Sequence, residues 1–313
     1  MSDKNFDSLN NQFEAAKQKS EKLSKDEEKQ KQIDEEEQKR RAEIFKDIDL
    51  DKAYAGADYE LNKKIKIHLP SVQEIIDYGP DKFWSFLTTF CANPTALKLL
   101  LNDVFQKKWY YMSDWDLFVL LHQSYPLEST KLFFGDELDF TKFVKLEITH
   151  EDQIDKRTKK PVVETILIDP DSIESGDLFV IDEAIHTKMV NYLRAIFDYH
   201  PSTDKPATKL GAQWLLERDR DNIAFAKRKA KENPSSSSFL LPLLSLFFKT
   251  YPGYTTKDLD KVNYFFFMDA IRRTQEYENT QALLHGVYGG MLDLNHKKNK
   301  KLKKDLNFLK QLY

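Results

Sequence analysis

The sequence predicts a mainly α-helical chain with a small inserted antiparallel β element (α+β), preceded by a charged N-terminal arm that is either helical or disordered. Three observations predict it. After residue 60, capping residues and prolines cut the chain into short segments whose apolar residues recur at helical spacing. One stretch within residues 131–182 turns instead to β-branched alternation. The first 51 residues hold few large apolar side chains and carry 11 Lys+Arg against 15 Asp+Glu, a net of −4. The expected divisions are the arm (1–60), an N-terminal helical unit (61–130), a β-rich insertion (131–182) and a C-terminal helical unit with a basic tail (183–313).

In the arm, Phe6, Leu9, Phe13 and Ala16 step by three and four, a short seam that a partner helix could read; Lys25 to Arg41 then offers only Ile33 as a large apolar residue. Such a segment buries too little to offset its own ordering entropy. The folded region is expected near Lys63, with a strand through Lys64–Leu69 stopped by Pro70. Ser71 then caps a helix through Val72, Ile75 and Ile76, which Gly79-Pro80 breaks. Asp81 opens a helix with Phe83, Trp84, Phe86, Leu87 and Phe90; Thr95 starts a third; Ser113-Asp114 starts a fourth, Trp115 to His122, closed by Pro126.

From Leu132 the pattern is β-like. Phe140, Phe143, Leu146 and Ile148 lie in a strand-favouring run, Val162–Ile168 is the clearest strand, and the polar stretch His150–Lys160 between them suits an exposed hairpin tip. Leu178–Ile181 offers a third strand. An amphipathic helix from Ala184 to Phe197 follows, then a linker at Ser202–Pro206 and a long charged helix, Lys209–Glu232, ended by Asn233-Pro234. The last unit reads as helices over Leu240–Phe248, Leu259–Tyr277 and Thr280–Tyr288, with a turn at Tyr251-Pro252-Gly253-Tyr254.

Composition narrows the chemistry. Nine glycines argue against Gly-rich nucleotide folds and propellers, and the single cysteine, Cys91, excludes an intramolecular disulfide framework and a cysteine-built zinc site. The N-terminus has no apolar signal core, and the most apolar run, Phe239–Phe248, is too short for the roughly 20 residues a membrane span needs. No histidine stands at i, i+4 with a Glu in a zinc-protease pattern, and Cys91 beside Phe90 reads as a buried thiol. Asp169–Glu174 echoes a calcium loop but lacks the required glycine and has Ile173 where an oxygen is needed. Gly286-Val287-Tyr288-Gly289-Gly290 lacks the Lys-Ser/Thr of a phosphate loop and suits a helix stop. Asp81, Asp114, Asp116 and Glu183 lie near helix starts, where carboxylates cap. No catalytic residue, cofactor or metal site is therefore expected.

Two surfaces remain as candidates. Residues 291–313 carry 7 Lys against 2 Asp, a net of +5, and Lys297, Lys298, Lys300, Lys301, Lys303 and Lys304 form a dense basic stretch suited either to an acidic partner or to nucleic acid. Phe239–Phe248 and Tyr264–Ile271 hold more large apolar side chains than two short helices need for each other. Their cover is either the N-terminal unit around Trp84 and Trp115 or a partner helix anchored on Phe247, Tyr264 and Phe267.

The stretch Lys66-Ile67-His68-Leu69-Pro70-Ser71-Val72-Gln73-Glu74-Ile75-Ile76-Asp77-Tyr78-Gly79, with Phe83-Trp84, Cys91-Ala92-Asn93-Pro94 and Met112-Ser113-Asp114-Trp115-Asp116-Leu117-Phe118, resembles structural-module proteins of tailed phages infecting low-GC Gram-positive bacteria. Leu240-Leu241-Pro242-Leu243-Leu244-Ser245, Tyr251-Pro252-Gly253-Tyr254, Phe267-Met268-Asp269-Ala270-Ile271-Arg272-Arg273, His285–Gly290 and Leu306-Asn307-Phe308-Leu309 resemble the closing pattern of the same group, so the likeness covers about residues 60–313. It implies a non-enzymatic role in tail morphogenesis, specifically a tail assembly chaperone acting with the tape-measure protein. The alternative is a structural component of the tail, neck or baseplate; a third option is a nucleic-acid-binding accessory using the basic C-terminus. The implied partners are other tail proteins, with homo-oligomerisation left open and no membrane. The implied location is the host cytoplasm during assembly, or the virion under the structural alternative.

Overall fold

The computed structural model describes residues 45, 46, 48–136, 138–154, 161–232 and 238–293, with residues 299, 302 and 306 of the terminal segment. Phe6, Leu9 and Phe13, and Lys297, Lys298, Lys300, Lys301, Lys303 and Lys304, lie outside the described residues. The chain divides into two compact units, residues 1–48 with Tyr313 and residues 49–312. In the first, the described residues form a turn in which the Ile48 amide donates to the Phe45 carbonyl at 3.1 Å.

The second unit is mainly helical with two small antiparallel sheets. It opens with α1 (Leu50–Tyr54), whose N-cap Asp49 accepts from the Lys52 amide. β1 (Tyr59–Glu60) and β2 (Lys66–Ile67) then pair antiparallel. The turn between them is built on Asn62, whose side chain accepts from the Lys64 and Ile65 amides, both at 2.8 Å. This corrects the expected arm boundary at residue 60, because residues 49–60 belong to the body. Ala53 is buried, the Tyr59 ring stacks on Tyr192 at 4.3 Å, and the Asn263 side-chain amide donates to the Tyr54 carbonyl at 3.0 Å. Gly56, at φ +80°, sits where a Cβ would meet the Asn263 amide nitrogen at 3.2 Å.

α2 (Val72–Tyr78) starts where expected, with Ser71 and Glu74 closing a reciprocal capping box. α3 (Pro80–Phe90) follows at once, Pro80 filling the first-turn position that has no amide to lose. Its buried residues Phe83, Phe86, Leu87 and Phe90 follow the i, i+3, i+4, i+7 rule. α4 (Lys98–Asp103) begins three residues after Thr95, and α5 (Asp114–Leu121) is capped by Ser113 with Asp116.

α6 (Leu127–Phe134) falls partly where a β pattern was expected from Leu132. Thr130, Phe133 and Phe134 are strand-favouring types, but all three are buried on one helical face, so tertiary packing overrides propensity. β3 (Val144–Ile154) and β4 (Pro161–Ile168) form a long hairpin with one irregularity between His150 and Ile154. The strand therefore runs five residues, His150 to Ile154, into the expected polar tip. α7 (Pro170–Ser175) leads to β5 (Val180–Ile181), which pairs with the end of β4 to give the order β3-β4-β5.

α8 (Glu183–Ile196) buries Met189, Val190, Tyr192, Leu193 and Ile196. α9 (Lys209–Glu232) docks through Ala212, Leu215 and Leu216 and through ion pairs of Lys98 with Asp219 and of Arg220 with Asp103. α10 (Leu240–Thr250) and α11 (Tyr264–Tyr288) complete the unit. α11 is one continuous helix where two were expected, and it starts at the Asn263 cap rather than at Leu259. The expected N- and C-terminal helical units are not separate. The Val72 amide donates to the Val262 carbonyl at 2.8 Å, the Tyr264 amide to the Pro70 carbonyl at 3.0 Å, and one aromatic core joins Phe83 to Phe133, Phe197 and Tyr264. Each such buried ring contributes roughly 1.5–3 kcal/mol of transfer free energy.

These contacts set the outcome of truncation. Removal of residues 1–48 is expected to leave the cooperative unfolding of the second unit in place. Removal of residues 1–60 is expected to cost it about 2 kcal/mol or more through loss of α1 and the Tyr59 stack. Urea titration of both forms checks this, and equal stabilities would refute it.

Candidate interaction surface

The three residues expected as partner anchors are in the core. Phe247, Tyr264 and Phe267 are 0, 2 and 0% exposed. Phe247 packs against Phe267 at 5.3 Å and against Tyr251 and Tyr254 of the following turn. Tyr264 is covered by Phe83, Trp84 and Phe197 at 5.8, 6.1 and 5.2 Å. Tyr264 is thus covered by α3 and by Phe197 at the end of α8, and Phe247 and Phe267 by each other and the turn, while Phe239 and Leu241 stay 47 and 63% exposed. Trp115 takes no part in that cover; its indole nitrogen donates to the Thr165 carbonyl at 3.1 Å, tying α5 to the hairpin.

Several polar groups of the interior hold elements together. Arg194, 5% exposed, donates from Nε to the Cys91 carbonyl at 2.9 Å and from Nη2 to the Ala92 carbonyl at 3.2 Å and Asp114 Oδ2 at 2.9 Å. One guanidinium thereby closes the carbonyl end of α3 and anchors the start of α5. Burial pushes the Cys91 thiol up to about 12, against a smaller opposing pull from Arg194. A thiol so placed is protonated and unreactive at neutral pH. His186 stacks on Phe118 at 4.4 Å, and burial, with the Arg194 charge second, pushes it down to about 3, so the ring is neutral.

One titratable cluster faces outward. His68 Nδ1 lies 2.8 Å from Asp58 Oδ1 and Nε2 lies 3.1 Å from Glu74 Oε2, while Glu74 also accepts from the Ser71 amide at 2.7 Å. Burial alone would lower the His68 pKa, but the two carboxylates outweigh it and raise it; the same contacts hold Asp58 and Glu74 below their usual range. The cluster pins the β1–β2 hairpin to the α2 cap. Of the carboxylates noted at helix starts, Asp114 meets Arg194 and Asp116 completes the Ser113 cap. Asp81 lines a groove of about 770 Å³ with Asp77, Lys82, Glu128 and Lys131. The tyrosine hydroxyls in that groove are satisfied: Tyr78 donates to Ser129 and Tyr125 to Thr89 backbone carbonyls. Among the described residues no group of three His, Cys, Asp or Glu side chains is placed to hold a metal ion.

Among the exposed apolar side chains, two sets lie on regular elements outside the segments expected to bind a partner. On α9, Leu210, Trp214, Ile223 and Phe225 are 75, 58, 46 and 63% exposed, and from Asp221 onward every described side chain is exposed. The apolar stripe that docks the first half through Ala212, Leu215 and Leu216 continues through Ile223 and Ala226, which the described residues leave exposed. On the hairpin, Val144, Leu146 and Ile148 are 51, 46 and 37% exposed along one face of β3. The alternation of Val144, Leu146 and Ile148 with Lys145, Glu147 and Thr149 is visible in the sequence. Its exposure is not, because a strand pattern does not say which face the body covers. No helix of the described residues is long and apolar enough to cross a membrane. No family model matches this chain, and neither the curated proteins nor the solved structures contain a significant match to it.

Proposed function

We propose that this chain is a non-enzymatic assembly protein of a phage tail module, specifically a chaperone that holds the helical tape-measure protein until the tail tube encloses it. The observation that carries this reading is the free half of α9. A helix that leaves its body with Ile223 and Phe225 exposed loses the packing that normally stabilises helices, and a partner helix would restore it. The same half bears Lys227, Arg228, Lys229 and Lys231 against Asp221 and Glu232, so it fits an apolar helix with acidic flanks. The sequence likeness to tail-module proteins supplies the identity of the partner. The use of Arg194, Cys91 and the His68 cluster as internal fastenings is consistent with a binding role.

Co-expression with the tape-measure protein tests the reading. Ile223→Ala and Phe225→Ala are each expected to weaken capture by about 2 kcal/mol while leaving thermal unfolding nearly unchanged, since both side chains are exposed. Undiminished capture by both variants would overturn it. Mass spectrometry of purified particles decides the role: a chaperone is absent from them, whereas a tail, neck or baseplate component remains.

A further inference from the structure

Among the described residues β3 is an edge strand, since the sheet runs β3-β4-β5 and β3 has β4 on one side only. From Val144 to Thr149 every side chain is exposed, and residues 144–150 keep unbroken register with β4; the irregularity comes after His150. Edge strands are usually blunted by a bulge, a proline, an inward charge or a covering element. The stretch 144–148 has no proline or bulge, and Lys145 and Glu147, 2.6 Å apart as an ion pair, neutralise each other's charge. An open row of backbone donors and acceptors flanked by valine, leucine and isoleucine calls for another strand.

The residues themselves say which strand fits. In a two-fold antiparallel pairing, directly opposite residues share a face, so the axis must pass through a residue. Centred on Leu146, the pairing sets Leu146 against its own copy, Val144 against Ile148, and Lys145 against Glu147, twice. Centred on Lys145 it sets lysine against lysine, and centred on Glu147 it sets glutamate against glutamate. Of these neighbouring registers only the first makes every apolar residue meet an apolar one and every charge meet its opposite. We propose that β3 is the contact between two copies of this chain, joined edge to edge about Leu146 into one continuous antiparallel sheet. The contact is separate from the free half of α9 and does not depend on the tail-assembly reading.

Sedimentation velocity of the full chain over a range of micromolar concentrations, at low salt, tests it. Wild type is expected to dimerise. Lys145→Glu and Glu147→Lys each place like charges opposite one another twice, and each is expected to weaken the dimer on the order of tenfold. An equimolar mixture of the two variants is expected to dimerise nearly as well as wild type, because the two reversed residues then face each other with opposite charges, as do the two unreversed ones. Circular dichroism of each variant confirms that the exposed changes leave the fold intact. A wild type that stays monomeric overturns the proposal. So does a dimer that ignores both reversals, or single variants that dissociate and do not recover on mixing.

Discussion

Arg194→Met is expected to destabilise the second unit by about 3 kcal/mol or more, read as a lower urea midpoint with unchanged slope. The cost comes from what the guanidinium leaves behind. The carbonyls of Cys91 and Ala92, at residues 0 and 4% exposed, lose the donors that satisfied them at 2.9 and 3.2 Å. Each buried group without a partner costs roughly 1–3 kcal/mol. Asp114 matters less, because its side chain is 41% exposed and turns to water. Asp114→Asn should therefore cost well under the Arg194 variant, on the order of 1 kcal/mol or less. Arg194→Lys should recover only part of the loss, since one ammonium cannot reproduce a fork that reaches two carbonyls and a carboxylate. Equal losses for Asp114→Asn and Arg194→Met would mean that the ion pair, rather than the capped carbonyls, carries the energy.

What the sequence made legible was local. Ser71 and Ser113 announced their helices because a hydroxyl three residues before an acidic side chain closes a reciprocal cap whatever lies elsewhere in the chain. The spacing of Phe83, Phe86, Leu87 and Phe90 likewise fixes a helix and its buried face. What could not be read was set at a distance. α1 and β1 are too short to show a period; α1 is held by Asn263, some two hundred residues away along the chain, and β1 by the stack of Tyr59 on Tyr192. Phe247, Tyr264 and Phe267 displayed their apolar excess in the sequence, but Phe83 and Phe197 cover Tyr264 from distant elements, and no local pattern encodes which distant element arrives. α11 looked divided because its second half is polar; a helix needs only its own backbone to continue, so a charged exterior is no break. The free half of α9 was legible as a charged helix. That it outruns the body depends on how far Leu215 and Leu216 dock, which is a tertiary fact.

The second large effect is a loss of stability on mild acidification, centred on His186. Its ring is 3% exposed and pushed down to about 3 by burial and then by Arg194, whereas in the unfolded chain it titrates near the ordinary 6.5. Between those values the unfolded state binds a proton that the folded state refuses. The contribution is therefore complete above pH 6.5 and is lost as pH falls toward 3, at about 1.4 kcal/mol per pH unit. Other groups act in different windows. His68, raised by Asp58 and Glu74, contributes fully below 6.5 and loses its contribution as pH rises through its folded pKa; at 40% exposure it is weak. Asp58 and Glu74 are lowered from ordinary values of 3.8 and 4.5, so their contributions fail only as pH drops beneath those values. The interval from 6.5 to 4.5 consequently reports on His186, and wild type should lose about 2–3 kcal/mol across it. His186→Phe keeps a ring against Phe118 and removes the titration, so its stability should be nearly flat over the same interval, whatever its absolute value. Urea midpoints at a series of pH values make the comparison. Parallel slopes in the two proteins would show that the proton is taken up elsewhere and that His186 is not the acid-sensitive point of the core.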